Sequence, residues 1–171
     1  MRIFNAQLGT EVLPRLEPPE GVCYGVNTIA FSQDGTRIVY GSDDGAVRVH
    51  DASGYELLQP LRGYENPIDS ARYSPEGTRV ISGPNDKKLH LWDALSDSEV
   101  KPLHRGHESC VYSMTFSQDG TRVVSGSADY TIRVWDAISG SEVGLPLRGH
   151  DNTVYAVAIS HNGTRIAVMD P

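Results

Sequence analysis

His107, Ser125 and Asp129 are the three residue types of a nucleophilic hydrolase, brought close together in the chain. A histidine oriented by a carboxylate can take the proton of a serine hydroxyl. The same pattern returns elsewhere, in pieces: Ser82 and Asp86, then Asp44. A catalytic site has no need of repetition, so a hydrogen-bonding framework is the better account of these residues. His104 and His107 stand three apart, a metal pair if on a helix, but they fall in a turn-rich stretch with no cysteine or carboxylate cluster nearby. Asp34, Glu76, Asp119 and Asn162 each precede a glycine and could be taken for calcium ligands. They lack the dense acidic spacing of a calcium loop, and turn formation suffices to explain them. No glycine-rich phosphate loop follows a strand and opens a helix. The sequence supports no catalytic residues, no cofactor and no metal.

The elements that hold these residues repeat. AFSQDGTRIVYGSDDGAVRVHDA (30–52), RYSPEGTRVISGPNDKKLHLWDA (72–94), TFSQDGTRVVSGSADYTIRVWDA (115–137) and AISHNGTRIAVMDP (158–171) align without gaps, the last being shorter. Their shared serines, Ser32, Ser74, Ser117 and Ser160, are spaced by 42, 43 and 43 residues. Within each copy, apolar and polar residues alternate in short runs, the pattern of half-buried strands. Asp34-Gly35 and Asp44-Gly45 lie between such runs, and a two-residue Asp-Gly turn supplies the positive φ that a twisted hairpin requires. A period of ~40–45 residues with Gly-His near one end and Trp-Asp near the other marks a four-stranded propeller blade.

In period, turn residues and both dipeptides the chain resembles the WD-repeat (WD40) family, over nearly its whole length. The resemblance implies an all-β propeller segment. Full repeats are expected at 21–61, 63–103 and 106–147, with strands of the first near 25–31, 36–41, 46–51 and 55–61. Residues 149–171 hold two more strands, near 153–160 and 164–169. Residues 1–16 align with 132–147: Phe4 takes the Trp135 place, Asn5 the Asp136 place, and Gly9, Glu11-Val12 and Leu16 match Gly140, Glu142-Val143 and Leu147. The chain therefore begins with the third and fourth strands of a split blade and ends with its first two. An unpaired strand at 164–169 would leave an aggregation-prone edge. Three arrangements complete it: a homodimer closing an eight-bladed ring by reciprocal strand exchange, a longer array of which this is a fragment, or closure within one chain. WD-repeat propellers usually have about seven blades, which makes a four-bladed ring unusual.

The resemblance also implies a structural tetrad of His107, Ser125, Asp129 and Trp135, in which the histidine takes a hydrogen bond from Ser or Trp and gives one to Asp. The second repeat keeps Ser82, Asp86 and Trp92, with Tyr64 at the histidine position. The first keeps Asp44, with Val22, Tyr40 and His50 at the other places. The fourth has His150, but Val168 stands at the serine position and no turn Asp follows. Loosened first and fourth blades are expected. Partners of this family are often gripped on the top face. That face maps to Gly25, Asn27 and Asp43; Pro67, Asp69 and Asn85; Cys110, Tyr112 and Ala128; and Thr153 and Tyr155. These positions differ in every repeat, as a surface tuned to one ligand would, although unused positions drift in the same way. Tyr112 and Tyr155 are the natural anchors, since a few aromatic residues carry most interface energy.

Bulk composition agrees with this reading. The chain has 171 residues, 15 Lys plus Arg against 22 Asp plus Glu, and a formal charge of −7. A broad basic surface for nucleic acid or an anionic membrane is not expected. Cys23 and Cys110 form no disulfide framework, which favours a reducing, cytoplasmic setting. No apolar run of about 18 residues and no leader pattern is seen. The expectation is a non-catalytic scaffold that binds a protein through its top face; the rival is a structural or decayed fragment without a ligand. The string DGTRVVSGSADYTIRVWDA with the linking PLRGH resembles the repeat arrays of fungal NACHT-type proteins, which implies a sensor or recognition module.

Overall fold

The computed structural model describes residues 2–12, 25–62, 66–84, 89–96, 99–103 and 106–170. Four antiparallel sheets follow one another along the chain. The first is β1 (Val26–Phe31), β2 (Arg37–Ser42) and β3 (Val47–Asp51). The second is β4 (Ile68–Tyr73), β5 (Arg79–Pro84), β6 (Leu89–Asp93) and β7 (Glu99–Leu103). The third is β8 (Val111–Phe116), β9 (Arg122–Ser127) and β10 (Ile132–Asp136), and the fourth is β11 (Ala156–Ile159) and β12 (Ile166–Met169). Within each sheet, every strand pairs with the next in sequence.

The first hairpins of the first, third and fourth repeats are built by one local motif; in the second, among the described residues, Glu76 accepts only Thr78 Oγ1, at 3.2 Å. Ser32 Oγ donates to Asp34 Oδ1 at 2.6 Å, and the same carboxylate accepts Thr36 N at 3.0 Å and Thr36 Oγ1 at 2.8 Å. Ser117, Asp119 and Thr121 repeat it, as do Ser160, Asn162 and Thr164. Gly35 and Gly120 take φ of 70° and 69°, the left-handed region that favours glycine. These side chains are consumed by their own turns. Hydrogen bonds from Ser32 and Thr36 hold the Asp34 carboxyl at about 2. Among the described residues, no group of three or more His, Cys, Asp or Glu side chains converges as a metal site would require. His104 lies outside the described residues.

The outer strand departs from expectation in two repeats. Among the described residues, only β7 forms a full fourth strand. In the first repeat the outer segment touches β3 at Val47↔Leu61 and His50↔Glu56; in the third it touches β10 at Ile132↔Leu147 and Trp135↔Glu142. Proline does not account for the break, since Pro60 and Pro146 hold the place that Pro102 holds within β7; in the third repeat Gly144 turns to φ 79° between the two bridges.

The core lies between sheets. Val39, Val49, Ile68, Val80 and Trp92 pack the first sheet on the second. Ile81, Leu91, Met114, Val123 and Trp135 pack the second on the third. Val124, Ile132, Val154 and Val157 pack the third on the fourth. Adjacent residues of β5 (Val80, Ile81) and β9 (Val123, Val124) thus face opposite neighbours, and both faces of these strands are buried. Polar ties cross the same seams. Arg37 Nη1 donates to Ala94 O at 3.3 Å and Arg79 Nη1 to Ala137 O at 2.8 Å, each reaching the next repeat. The equivalent Arg122 pairs instead with Asp136 of its own repeat.

Residues 2–12 form the hairpin that the alignment to 133–143 implies. Phe4 bridges Glu11 as Trp135 bridges Glu142. Val12 N donates to Ile3 O at 2.8 Å, matching Val143 N to Val134 O at 2.7 Å, and Gly9 N donates to Asn5 O as Gly140 N does to Asp136 O, both at 2.8 Å. Arg2 faces Glu11 as Arg133 faces Glu142. Yet Phe4 is 54% exposed where Trp135 is 0% exposed. The fourth sheet has two strands, and no described strand pairs with the outer edge of β12.

Candidate interaction face

The third repeat shows how its framework is wired. Trp135 Nε1 donates to Ser125 Oγ at 2.8 Å. Ser125 Oγ lies 2.7 Å from His107 Nε2, and His107 Nδ1 lies 2.8 Å from Asp129 Oδ2. Because Asp129 can only accept, Nδ1 carries the proton and Nε2 accepts from the serine. Trp135 therefore reaches the histidine only through Ser125, a relay where direct donation from either residue was expected. Thr131, which the sequence did not single out, donates from Oγ1 to Asp129 Oδ1 at 2.6 Å, and Glu108 N donates to Asp129 Oδ2 at 2.9 Å. Burial holds the His107 pKa below its ordinary value, against the pull of Asp129. Burial would raise Asp129, but hydrogen bonds from Thr131, Glu108 N–H and His107 outweigh it and hold it at about 2. The polarity matches that of a hydrolase triad. Ser125 is nevertheless wholly buried, with its oxygen occupied by Trp135, so no substrate can reach it.

The other repeats depart from this scheme in different ways. In the second, Trp92 Nε1 donates to Ser82 Oγ at 2.9 Å; Asp86 lies outside the described residues, as do Asn85, Cys23 and Tyr64. In the first, the substitutions form a network of their own. Tyr40 Oη lies 3.2 Å from His50 Nε2, while His50 Nδ1 donates to Gly54 O at 3.1 Å. Arg48 takes the partner role for Asp44, with Nη2 to Oδ2 at 2.6 Å, and Ser42 donates to the same carboxylate at 2.5 Å. This repeat is rebuilt where the sequence suggested loosening. In the fourth, His150 Nδ1 lies 2.8 Å from Asp170 Oδ2. A carboxylate does serve this histidine, from the place that Ser127 holds in the third repeat, two residues past the serine position. The clue in the sequence was an acid just beyond Val168.

The variable positions are gathered by a shared backbone device. The β1–β2, β4–β5 and β8–β9 ladders each shift register in the first strand: between Val26 and Thr28, Ile68 and Ser70, and Val111 and Ser113. The residue skipped is Asn27, Asp69 or Tyr112. A bulge leaves one residue unpaired and re-aims its side chain. Tyr155 occupies the same place before β11, its N–H donating to Met169 O at 3.0 Å. The flanking positions pair across the same end: Asp43 N donates to Gly25 O at 3.0 Å and Ala128 N to Cys110 O at 2.9 Å.

The side chains on this rim meet across repeats. Asp43 accepts Gly25 N at 3.1 Å and Asn27 Nδ2 at 2.8 Å. Burial, then the neighbouring charge of Asp43, raises the Asp69 pKa. Tyr112 and Tyr155 stack at a tilt of 37° with ring centroids 5.1 Å apart. They are 37% and 51% exposed. Pro67, Cys110, Ala128 and Thr153 are half-buried between them and the core. Thr153 N donates to Asn152 Oδ1 at 2.8 Å. No helix among the described residues is long and apolar enough to cross a membrane.

A family model described as WD domain, G-beta repeat matches residues 20–51, 55–93, 100–136 and 141–168. No curated protein matches the chain. The four matches cover most of the chain and agree with the four sheets, so this protein belongs to the WD40 repeat family.

Proposed function

We propose that this chain is a non-catalytic scaffold that binds a protein partner through the rim formed by Asn27, Asp69, Tyr112 and Tyr155. WD40 repeats are generally protein-interaction modules. One observation carries the finer reading: the backbone is bulged at the same point in three repeats, yet the residue displayed there differs in type. A conserved geometry presenting dissimilar side chains suits one shaped partner. Two exposed tyrosines in mutual contact provide rigid contact area at its centre. The sensor or recognition role rests on the likeness to NACHT-type arrays, and the cytoplasmic setting on the sparse cysteines. The test is a pull-down from cell extract with wild type and a Tyr112→Ala/Tyr155→Ala variant. Loss of a captured protein from the variant supports the rim; an unchanged set of captured proteins overturns it.

The same reading includes a two-chain, eight-bladed ring. The hairpin of residues 2–12 reproduces the hydrogen bonds of the outer half of the third repeat, and no described strand pairs with the outer edge of β12. In the ring, that hairpin of one copy covers β12 of the other. The rival, a structural segment of a longer array, draws on the same open edge and needs no ligand.

A further inference from the structure

We infer that the rim is built for a cationic side chain, a lysine or arginine of the partner protein. This rests on the rim being the interaction face. Ordered by repeat, the bulge residues read Asn27, Asp69, Tyr112, Tyr155, which places a carboxylate next to an aromatic pair. Burial first, then the neighbouring Cys110 and Tyr155, and last the charge of Asp69, raise the Tyr112 pKa, so the carboxylate lies within electrostatic reach of the aromatic pair.

Asp69 makes no hydrogen bond or ion pair among the described residues, unlike Asp43, which is engaged by Gly25 N and Asn27 Nδ2. It is half-buried and faces the like charge of Asp43. A carboxylate in that position gains from a cation more than an exposed one does, because water screens it less and a second negative charge stands behind it. The tyrosine faces supply the other half. A guanidinium or ammonium over an aromatic ring is attracted by the ring quadrupole, and its aliphatic stem packs on the ring edge. None of the described rim positions, Gly25, Asn27, Asp43, Pro67, Asp69, Cys110, Tyr112, Ala128, Thr153 and Tyr155, is basic. The chain as a whole is acidic at −7. Charge complementarity thus selects a basic segment over an acidic or a wholly apolar one.

The probe is an array of random dodecapeptides incubated with the full chain, wild type and three variants: Asp69→Asn, Tyr112→Ala and Tyr155→Ala. All three side chains lie at the surface or half-buried, and the fluorescence of buried Trp92 and Trp135 checks that each variant folds. The expected result is enrichment of Lys- or Arg-containing peptides. Their affinity should fall about fivefold or more in Asp69→Asn and in Tyr112→Ala, in line with a partly desolvated cation–aromatic contact. Enriched peptides lacking a basic residue, with binding still lost in Tyr112→Ala, overturn the cationic ligand and leave the interaction face standing. Binding indifferent to all three substitutions, or no binder at all, overturns both.

Discussion

At the scale of single residues, the third repeat concentrates its polar framework on one oxygen. Ser125 Oγ accepts from Trp135 and donates to His107. Removing it strands a buried donor and a buried acceptor together. Each unsatisfied group costs ~1–3 kcal/mol, so Ser125→Ala should lower stability by about 2–6 kcal/mol, read as a reduced urea midpoint. A cost under about 1 kcal/mol would mean that water or a repacked neighbour replaces the hydroxyl. The same network sets a pH dependence. His107 is kept neutral by burial, so its folded pKa lies below the ordinary 6.5. The unfolded chain then binds more protons, and this contribution to stability is present above pH 6.5 and is lost as pH falls through the folded value. Asp129 acts in the same direction lower down, losing its contribution between the ordinary 3.8 and about 2. Urea midpoints should fall from pH 7.5 toward pH 5, and His107→Asn should flatten that slope. An equal slope in the variant would assign the dependence to another group.

At the scale of elements, sheet-to-sheet packing turns on one glycine in each of the first three repeats. Gly41, Gly83 and Gly126 occupy equivalent positions in β2, β5 and β9. A Cβ on Gly41 would lie 2.6 Å from Ile68 Cβ, and one on Gly126 would lie 2.5 Å from Val154 Cγ1 and 2.8 Å from Val157 Cγ1. At Gly83 the nearest atom is Met114 Cε at 2.9 Å. Branched side chains rooted in a neighbouring strand cannot yield, whereas an unbranched methionine tip can. Gly41→Ala and Gly126→Ala should therefore cost ~1–3 kcal/mol by overpacking, and Gly83→Ala should cost less. Thermal unfolding of the three variants gives the order; equal losses would show that backbone entropy, not the seam, controls them. The outer strands follow a different logic. Two bridges per repeat hold them in the first and third repeats, while β7, with a proline at the equivalent place, pairs with β6 at four positions.

At the scale of the molecule, burial fades along the chain because each sheet is covered by the next. The first three sheets bury both faces of their middle strands, while Met169 at the end of β12 is 66% exposed. The hairpin of residues 2–12 has the complementary shortage, with Phe4, Leu8 and Val12 all exposed. The two-chain ring predicts a solution mass near twice 18.7 kDa by light scattering behind a sizing column. Phe4→Asp should return the mass to that of one chain, because a charge cannot take the place of Trp135 in a packed blade. A wild-type mass of one chain would exclude the dimer and leave self-closure or a longer array.

The sequence alone determined the periodic parts of this protein. The serine spacing, the Ser-X-Asp-Gly-Thr turns, the alternation within strands and the outer-half identity of residues 2–12 are all set by contacts within a few residues, which a repeat copies intact. Tertiary structure decided whatever depends on neighbours from other strands. Tyr40 and His50 read as decay until β2 and β3 brought them together, and Asp170 became the partner of His150 only once β12 lay beside β11. The outer strands of the first and third repeats keep two bridges each, although the proline they carry is shared with the complete β7. The rim, too, depends on bulges whose register is fixed by pairing across a ladder, and the contact of Tyr112 with Tyr155 becomes visible only when the sheets are set side by side.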